Sequence, residues 1–314
     1  MRVLIVSRES APLGLSPFVR DQAASLARLG LDVEFLPIRG PGLAPYLRHP
    51  LLLRRRLRRD PPDVIHAYYG FSGMTALFQN RAPLVMTFLG CDFNTRSQRL
   101  AARLTVCPKA RRRIFMNRDM LALSGNPRKD VLLPFGIDLN RFRPLDKVAA
   151  KRRLGFDPAR RHVLFASNYN RPEKNPELAF RTMVALGAPD VELVEFAPGV
   201  SPEDVPWLYA ACDALLLTSR REGSPQVVKE AMASNLPLAS TAVGDVPWLI
   251  QDTPGCFLAE ARPQALAQAL RAALAIGEAG GGRERLLALG LDLDAVARRL
   301  LAVYEDALRE ARRD

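Results

Sequence analysis

Short apolar runs rich in β-branched residues alternate with segments of helical period along the whole chain. In the first half "RVLIV", "LDVEFL", "DVIHA", "PLVMTF", "LTVC" and "DVLLP" read as strands. Helices are expected over "SPFVRDQAASLARLG", Tyr46 to Arg59 and "SGMTALFQN". After "PFGIDLNRFRP", Pro134 to Pro144, the alternation starts again with "HVLFAS", "VELVEF", "DALLLTS" and "LPLAST". Such alternation argues for parallel sheets with helices on both faces. The pattern therefore predicts an α/β protein of two doubly wound domains, residues 1–143 and 144–314. The tail "DAVARRLLAVYEDALREARRD" predicts one long amphipathic helix. Ligands of doubly wound sheets bind at carboxyl strand ends, so two such domains are expected to face each other across a cleft.

Composition narrows the class. With 314 residues and 48% hydrophobic content, two ordinary cores can be buried. Four cysteines, at 91, 107, 212 and 256, form no C-x-x-C, which argues against a disulfide framework or structural zinc and favours a reducing cytoplasm. No run approaches the length needed to span a bilayer. The net charge of +12 is uneven: residues 1–145 carry 24 Lys+Arg against 10 Asp+Glu. Much of the excess lies in "YLRHPLLLRRRLRRD" and "CPKARRRIFMNR", where arginines alternate with apolar residues. Such patches suit nucleic acid, an acidic sugar polymer or anionic lipid, and equally a merely solvated surface. A dinucleotide oxidoreductase is disfavoured, because no G-x-G-x-x-G follows "RVLIV".

The stretch "REGSPQVVKEAM", residues 221 to 232, concentrates candidate chemistry. Ser224 suits a helix cap and Pro225 a first helical position, so a helix is expected to begin near Pro225. Val227, Val228, Ala231 and Met232 supply its apolar stripe, which leaves Glu222 just outside the helix and Glu230 inside. The amides of Gln226 and Val227 then lie at the positive end of the helix dipole, a place for an anion. Spacing alone describes an ordinary capped surface helix as well. The loop "NYNRPEKNPELAF", after an earlier strand, brings Arg171 and Lys174 to the same sheet edge. Cations beside a helix N-terminus favour a diphosphate.

These segments together resemble the retaining glycosyltransferases of the GT-B fold, the E-x7-E group that includes bacterial mannosyltransferases, sucrose synthases and glycogen synthases. "EGSPQVVKE" resembles the E-x7-E signature, "PFGIDLNRFRP" the interdomain segment, "RPEKNPELA" the phosphate segment, "GDVPWLI" a later turn, and "GLSPFVRDQAASLARLGLDVEFL" the first glycine loop and helix. The resemblance spans nearly the whole chain in order. It implies two Rossmann-like domains across a cleft, the first for the acceptor and the second for a nucleotide-sugar donor, with the terminal helix packing back on the first. It further implies that Glu230 binds ribose hydroxyls and that Glu222 faces the donor sugar. Gly223, Ser224, Pro225, Gln226 and Val227 are expected to hold sugar and distal phosphate. Lys174 and Arg171 would neutralise the departing diphosphate, and Gly14 would allow a close approach.

The sequence departs from the group at three points. Leu89 stands where a His-Gly pair is usual, which makes His66 and Asp92 candidates for sugar or acceptor contacts. Phe135 replaces an asparagine, and the basic residue upstream of Lys174 is either shifted to Arg171 or replaced by Tyr169. The D-x-D of Asp292 and Asp294 precedes a helix and reads as capping. The expected activity is sugar transfer from a UDP-, GDP- or ADP-sugar to a sugar or lipid-linked acceptor, with retained configuration and neither catalytic metal nor cofactor. An envelope or exported polysaccharide, or a glycolipid, is the expected product. Cysteine usage places the chain in the cytoplasm, and the basic first half either meets the anionic inner membrane face or is merely solvated; nucleic acid is not an expected partner. The competing functions are a GT-B epimerase and a non-catalytic polyanion-binding protein.

Overall fold

The structure, a computed structural model, describes residues 1–10, 14–40, 42, 44–90, 92–93, 95–165, 167–196, 200–277 and 280–313. It divides into two units, Met1–Gly136 with Leu293–Asp314, and Ile137–Asp292. The division thus falls earlier than the expected boundary after residue 143, and the terminal helix Leu293–Ala311 is part of the first unit.

Unit 1 contains β1 (Arg2–Ser10), β2 (Gly14–Leu15), β3 (Asp32–Ile38), β4 (Val64–Tyr68), β5 (Leu84–Phe88), β6 (Ala110–Phe115) and β7 (Asp130–Leu132). Six of them form a parallel sheet in the order β3-β1-β4-β5-β6-β7, and β2 pairs antiparallel with the end of β1. Every residue of β4 and β5 is buried, as expected where helices cover both faces of a parallel sheet. Leu293–Ala311 buries Val296, Leu300, Val303 and Tyr304 in this unit, and its Asp294 pairs with Arg28 at 2.8 Å. That aspartate lies in the first helical turn, where a negative charge favours the dipole.

Two sequence expectations fail in unit 1. "LTVC" is not a strand: it spans the end of helix Arg96–Leu104 and the start of helix Val106–Lys109. The strand is β6, "ARRRIF", whose three arginines conceal the apolar pattern. Arg113 can be buried there because Asp130 neutralises it at 2.5 Å, while Arg112 pairs with Glu310 of the terminal helix. The helix expected over "SGMTALFQN" is only the short Gly70–Met74.

Unit 2 contains β8 (Arg161–Phe165), β9 (Val191–Glu195), β10 (Ala214–Leu217), β11 (Leu238–Thr241) and β12 (Cys256–Ala259), all parallel, in the order β12-β11-β10-β8-β9. Val163, Phe165, Leu216, Ala239, Leu266 and Leu270 form the centre of its core. The chain leaves β8 to one side for β9 and returns on the other as β10. The switch point therefore lies between the carboxyl ends of β8 and β10, where loops diverge and open a crevice.

Candidate active site

The switch point of unit 2 gathers most of the expected donor-site residues. Beyond β8 the chain makes a single 3-10 turn, Pro172–Lys174, and then Asn175 in left-handed backbone (φ 56°) before helix Pro176–Leu186. Beyond β10 the Thr218 hydroxyl donates to the carbonyls of Lys174 and Asn175, at 2.9 and 3.0 Å, and the Arg220 amide donates to the Glu173 carbonyl at 3.0 Å. The two loops are thereby fastened to each other. Lys174 Nζ lies 2.6 Å from Glu222 Oε1, with both side chains largely buried. Arg171 instead pairs with Glu173 at 2.7 Å on the surface, its side chain half exposed.

The helix after this loop is Gln226–Ala233, with Pro225 in the capping position at φ −69° and ψ 118°. Its start agrees with the expectation, but Ser224 does not cap it. The Ser224 hydroxyl is buried and faces the Asp245 carboxylate, whose charged form it favours, and among the described residues Gln226 Oε1 makes no hydrogen bond. Among the described residues nothing accepts from the amides of Gln226 and Val227, so the first turn presents open donors at the positive helix end. The open amides thus follow directly on the loop that carries Glu222 and Gly223.

A second turn holds this loop from behind. The Asp245 amide donates to the Gly223 carbonyl at 3.2 Å. Gly244 has φ +56°, and a Cβ there would meet the Gly223 carbonyl oxygen at 2.5 Å and that of Glu222 at 2.9 Å. Only glycine allows the two backbones to come so close.

Beneath the loop sit charges that spacing does not reveal. Lys229 is fully buried; desolvation pulls its ammonium down to about 8, opposed by the charges of Asp245 and Glu230. Burial pushes Asp245 up to about 6, opposed chiefly by Lys229 and reinforced by Glu222. Between those values both groups are charged and each sustains the other. The Tyr209 hydroxyl donates to Glu230 Oε2 at 2.5 Å, which fixes that carboxylate. A lysine inside the run Val227 to Met232 was the only sequence signal for this arrangement.

The candidates in unit 1 are placed differently. His66, in the middle of β4, is fully buried; its Nδ1 lies 2.7 Å from the Tyr304 hydroxyl and its Nε2 2.7 Å from Thr87 Oγ1. Burial lowers it to about 3, so it is a neutral interior side chain with no nitrogen left for a sugar. Asp92 lies beyond β5 and accepts from the amides of Gly70, Leu89 and Gly90, at 2.8, 2.9 and 3.0 Å. Burial raises it to about 6 against those bonds. It lines a cavity of about 240 Å³ with Phe71, Met74, Gln98, Ala101 and Val106. Gly14 has φ 71° in β2, with Glu9 Oε1 the nearest atom to a Cβ placed there, at 3.8 Å. Phe135 packs on Phe18, ring centroids 4.6 Å apart, and fills interior space where the resembled group has a polar residue. Cys107, Cys212 and Cys256 are free thiols, and Cys91 lies outside the described residues. Among the described residues no group of three or more His, Cys, Asp or Glu could hold a metal ion. None of their helices is long and apolar enough to cross a membrane.

Comparison with known proteins agrees with this geometry. Residues 160–275, which include the whole switch-point assembly, match the family model described as Glycosyl transferases group 1. The chain is 26% identical to the D-inositol 3-phosphate glycosyltransferase of Actinosynnema mirum, over 98% of this chain and 97% of that protein. Its fold matches sucrose-phosphate synthase from Thermosynechococcus elongatus with a TM-score of 0.81 at 17% identity, over 98% of this chain and 99% of that one. It also matches Anabaena Alr3699/HepE, solved in complex with UDP-glucose, with a TM-score of 0.76 at 16% identity, over 97% and 99%. The fold is therefore of the GT-B type, and residues 160–275 match the glycosyl transferases group 1.

Proposed function

We propose that this glycosyltransferase moves a hexosyl group from a nucleoside diphosphate sugar to an acceptor hydroxyl with retained anomeric configuration. The observation that carries the reading is the Lys174–Glu222 contact at 2.6 Å beside the open amides of Gln226 and Val227. A ligand at this switch point meets an ammonium and a helix N-terminus, which suit a diphosphate, and a carboxylate, which suits sugar hydroxyls. Glu230, held by Tyr209, takes the ribose hydroxyls. Glu222 exchanges Lys174 for the donor sugar as the diphosphate arrives.

In the reaction the bond from the anomeric carbon to the diphosphate oxygen breaks, and one from that carbon to the acceptor oxygen forms. The acceptor proton passes to the departing diphosphate. Lys174 and the first-turn amides of the helix stabilise the charge that develops there, the kind of preorganised term that dominates such transfers. Unit 1 takes the acceptor, an intermediate of envelope or exported polysaccharide or of a glycolipid. Thermal unfolding with UDP, GDP, ADP and their sugars tests the reading. One nucleotide raises the midpoint in proportion to RT ln(1 + [L]/Kd), and Lys174→Ala abolishes the rise. Absence of any nucleotide effect, or salt-sensitive polyanion binding without sugar transfer, refutes it.

A further inference from the structure

The helix Ala44–Arg59 of unit 1 has two contrasting faces. Leu53 and Leu57 are 1% exposed and pack inward, and Arg56, near them, pairs with Glu34. On the other face Leu51 is 62% exposed, and Arg54, Arg55 and Arg58 follow it at helical spacing. Sequence alone could not decide whether these leucines all packed on the sheet; two do and Leu51 and Leu52 do not. A second helix, Arg96–Leu104, repeats the arrangement, with Leu100 and Leu104 exposed one turn apart among Arg96 and Arg103.

Both helices contribute to a groove of about 870 Å³ lined by Arg54, Arg58, Arg81 and Lys109 together with Phe78 and Leu104. No carboxylate lines it, and none of its four cations makes an ion pair among the described residues. Other arginines of the same unit do find partners: Arg56 with Glu34, Arg112 with Glu310 and Arg113 with Asp130. Leu57 forms part of its floor, whereas Phe78 at 80% and Leu104 at 72% exposure stand out toward solvent.

We propose that this face of unit 1 docks on an anionic lipid bilayer, with phosphates of the headgroups in the groove and Phe78, Leu100 and Leu104 in the interfacial layer. Charge alone would also suit nucleic acid. A duplex, however, gives leucines at a groove rim nothing apolar to enter, whereas a bilayer accepts cations and apolar side chains at one depth. The placement depends on unit 1 alone and stands whatever the donor of the transferase is.

Sedimentation of the full chain with vesicles tests it. Binding to vesicles containing phosphatidylglycerol, weak binding to phosphatidylcholine alone, and loss at high salt are expected. Arg54→Ser with Arg58→Ser and Arg81→Ser lowers the partition coefficient by about tenfold or more, and Phe78→Ser with Leu104→Ser weakens it further. Circular dichroism verifies that the variants are folded. Phe78→Trp gives an independent readout, a blue shift of emission on addition of anionic vesicles only. Equal binding to both vesicle types, no binding, no blue shift, or duplex DNA displacing the vesicles overturns the proposal.

Discussion

Gly244→Ala tests whether the close backbone approach behind the loop of Glu222 and Gly223 sets the geometry of the site. At φ +56° an alanine adds a strain of roughly 1–2 kcal/mol. Its Cβ also meets the Gly223 carbonyl oxygen at 2.5 Å, and ordinary contact begins at 3.4 Å, so one backbone must retreat by about 0.9 Å (3.4 less 2.5). A displacement of that size beside Glu222 is expected to reduce kcat/KM about a hundredfold, equivalent to about 3 kcal/mol. Gly155→Ala is the control. That residue closes helix Lys147–Leu154 at φ +71° with nothing within 4 Å of a new Cβ, so it carries the strain without the displacement. Gly155→Ala should lose about 1–2 kcal/mol in urea and Gly244→Ala at least as much, followed by the fluorescence of Trp207 and Trp248, both of which lie in unit 2. Only Gly244→Ala should lose turnover of the nucleotide sugar selected by thermal shift. Equal turnover in the two variants refutes the argument.

Lys174→Ala is expected to cost about 2–4 kcal/mol in kcat/KM, while EDTA leaves turnover unchanged; activity lost on chelation and restored by Mg²⁺ or Mn²⁺ would contradict the metal-free reaction. Glu222→Gln should separate binding from chemistry, because it frees Lys174 from its 2.6 Å partner: calorimetry should find the nucleoside diphosphate bound about tenfold tighter, the scale of one charge-assisted hydrogen bond, and kcat should fall. The buried lysine gives a pH signature. The unfolded chain holds the Lys229 proton up to 10.5 and the folded one only up to about 8, so between those values the unfolded state binds more protons and stability rises with pH, by about 3 kcal/mol in all. Urea unfolding of Lys229→Met should lack that rise; the same slope in both proteins assigns it to other groups.

What the sequence determined is local or periodic. Alternating apolar runs gave two parallel α/β sheets, and the order Glu222, Gly223, Pro225, Glu230 foretold a loop followed by a helix, because neighbours in sequence share one loop and one helix start. The tertiary structure decided what depends on distant segments meeting. Lys174 reaches Glu222 only because the switch in strand order sets β8 beside β10. Asp245 and Tyr209 enter the site from other loops and helices, and no spacing rule connects them to Lys229 or Glu230. His66 looked like a possible ligand contact until Tyr304, from the far end of the chain, and Thr87 occupied both its nitrogens. "ARRRIF" became a strand because Asp130 and Glu310 supply the charges that let its arginines leave water. Hydropathy is a property of each residue alone, whereas the desolvation of a charge depends on which counter-charge the fold brings within reach.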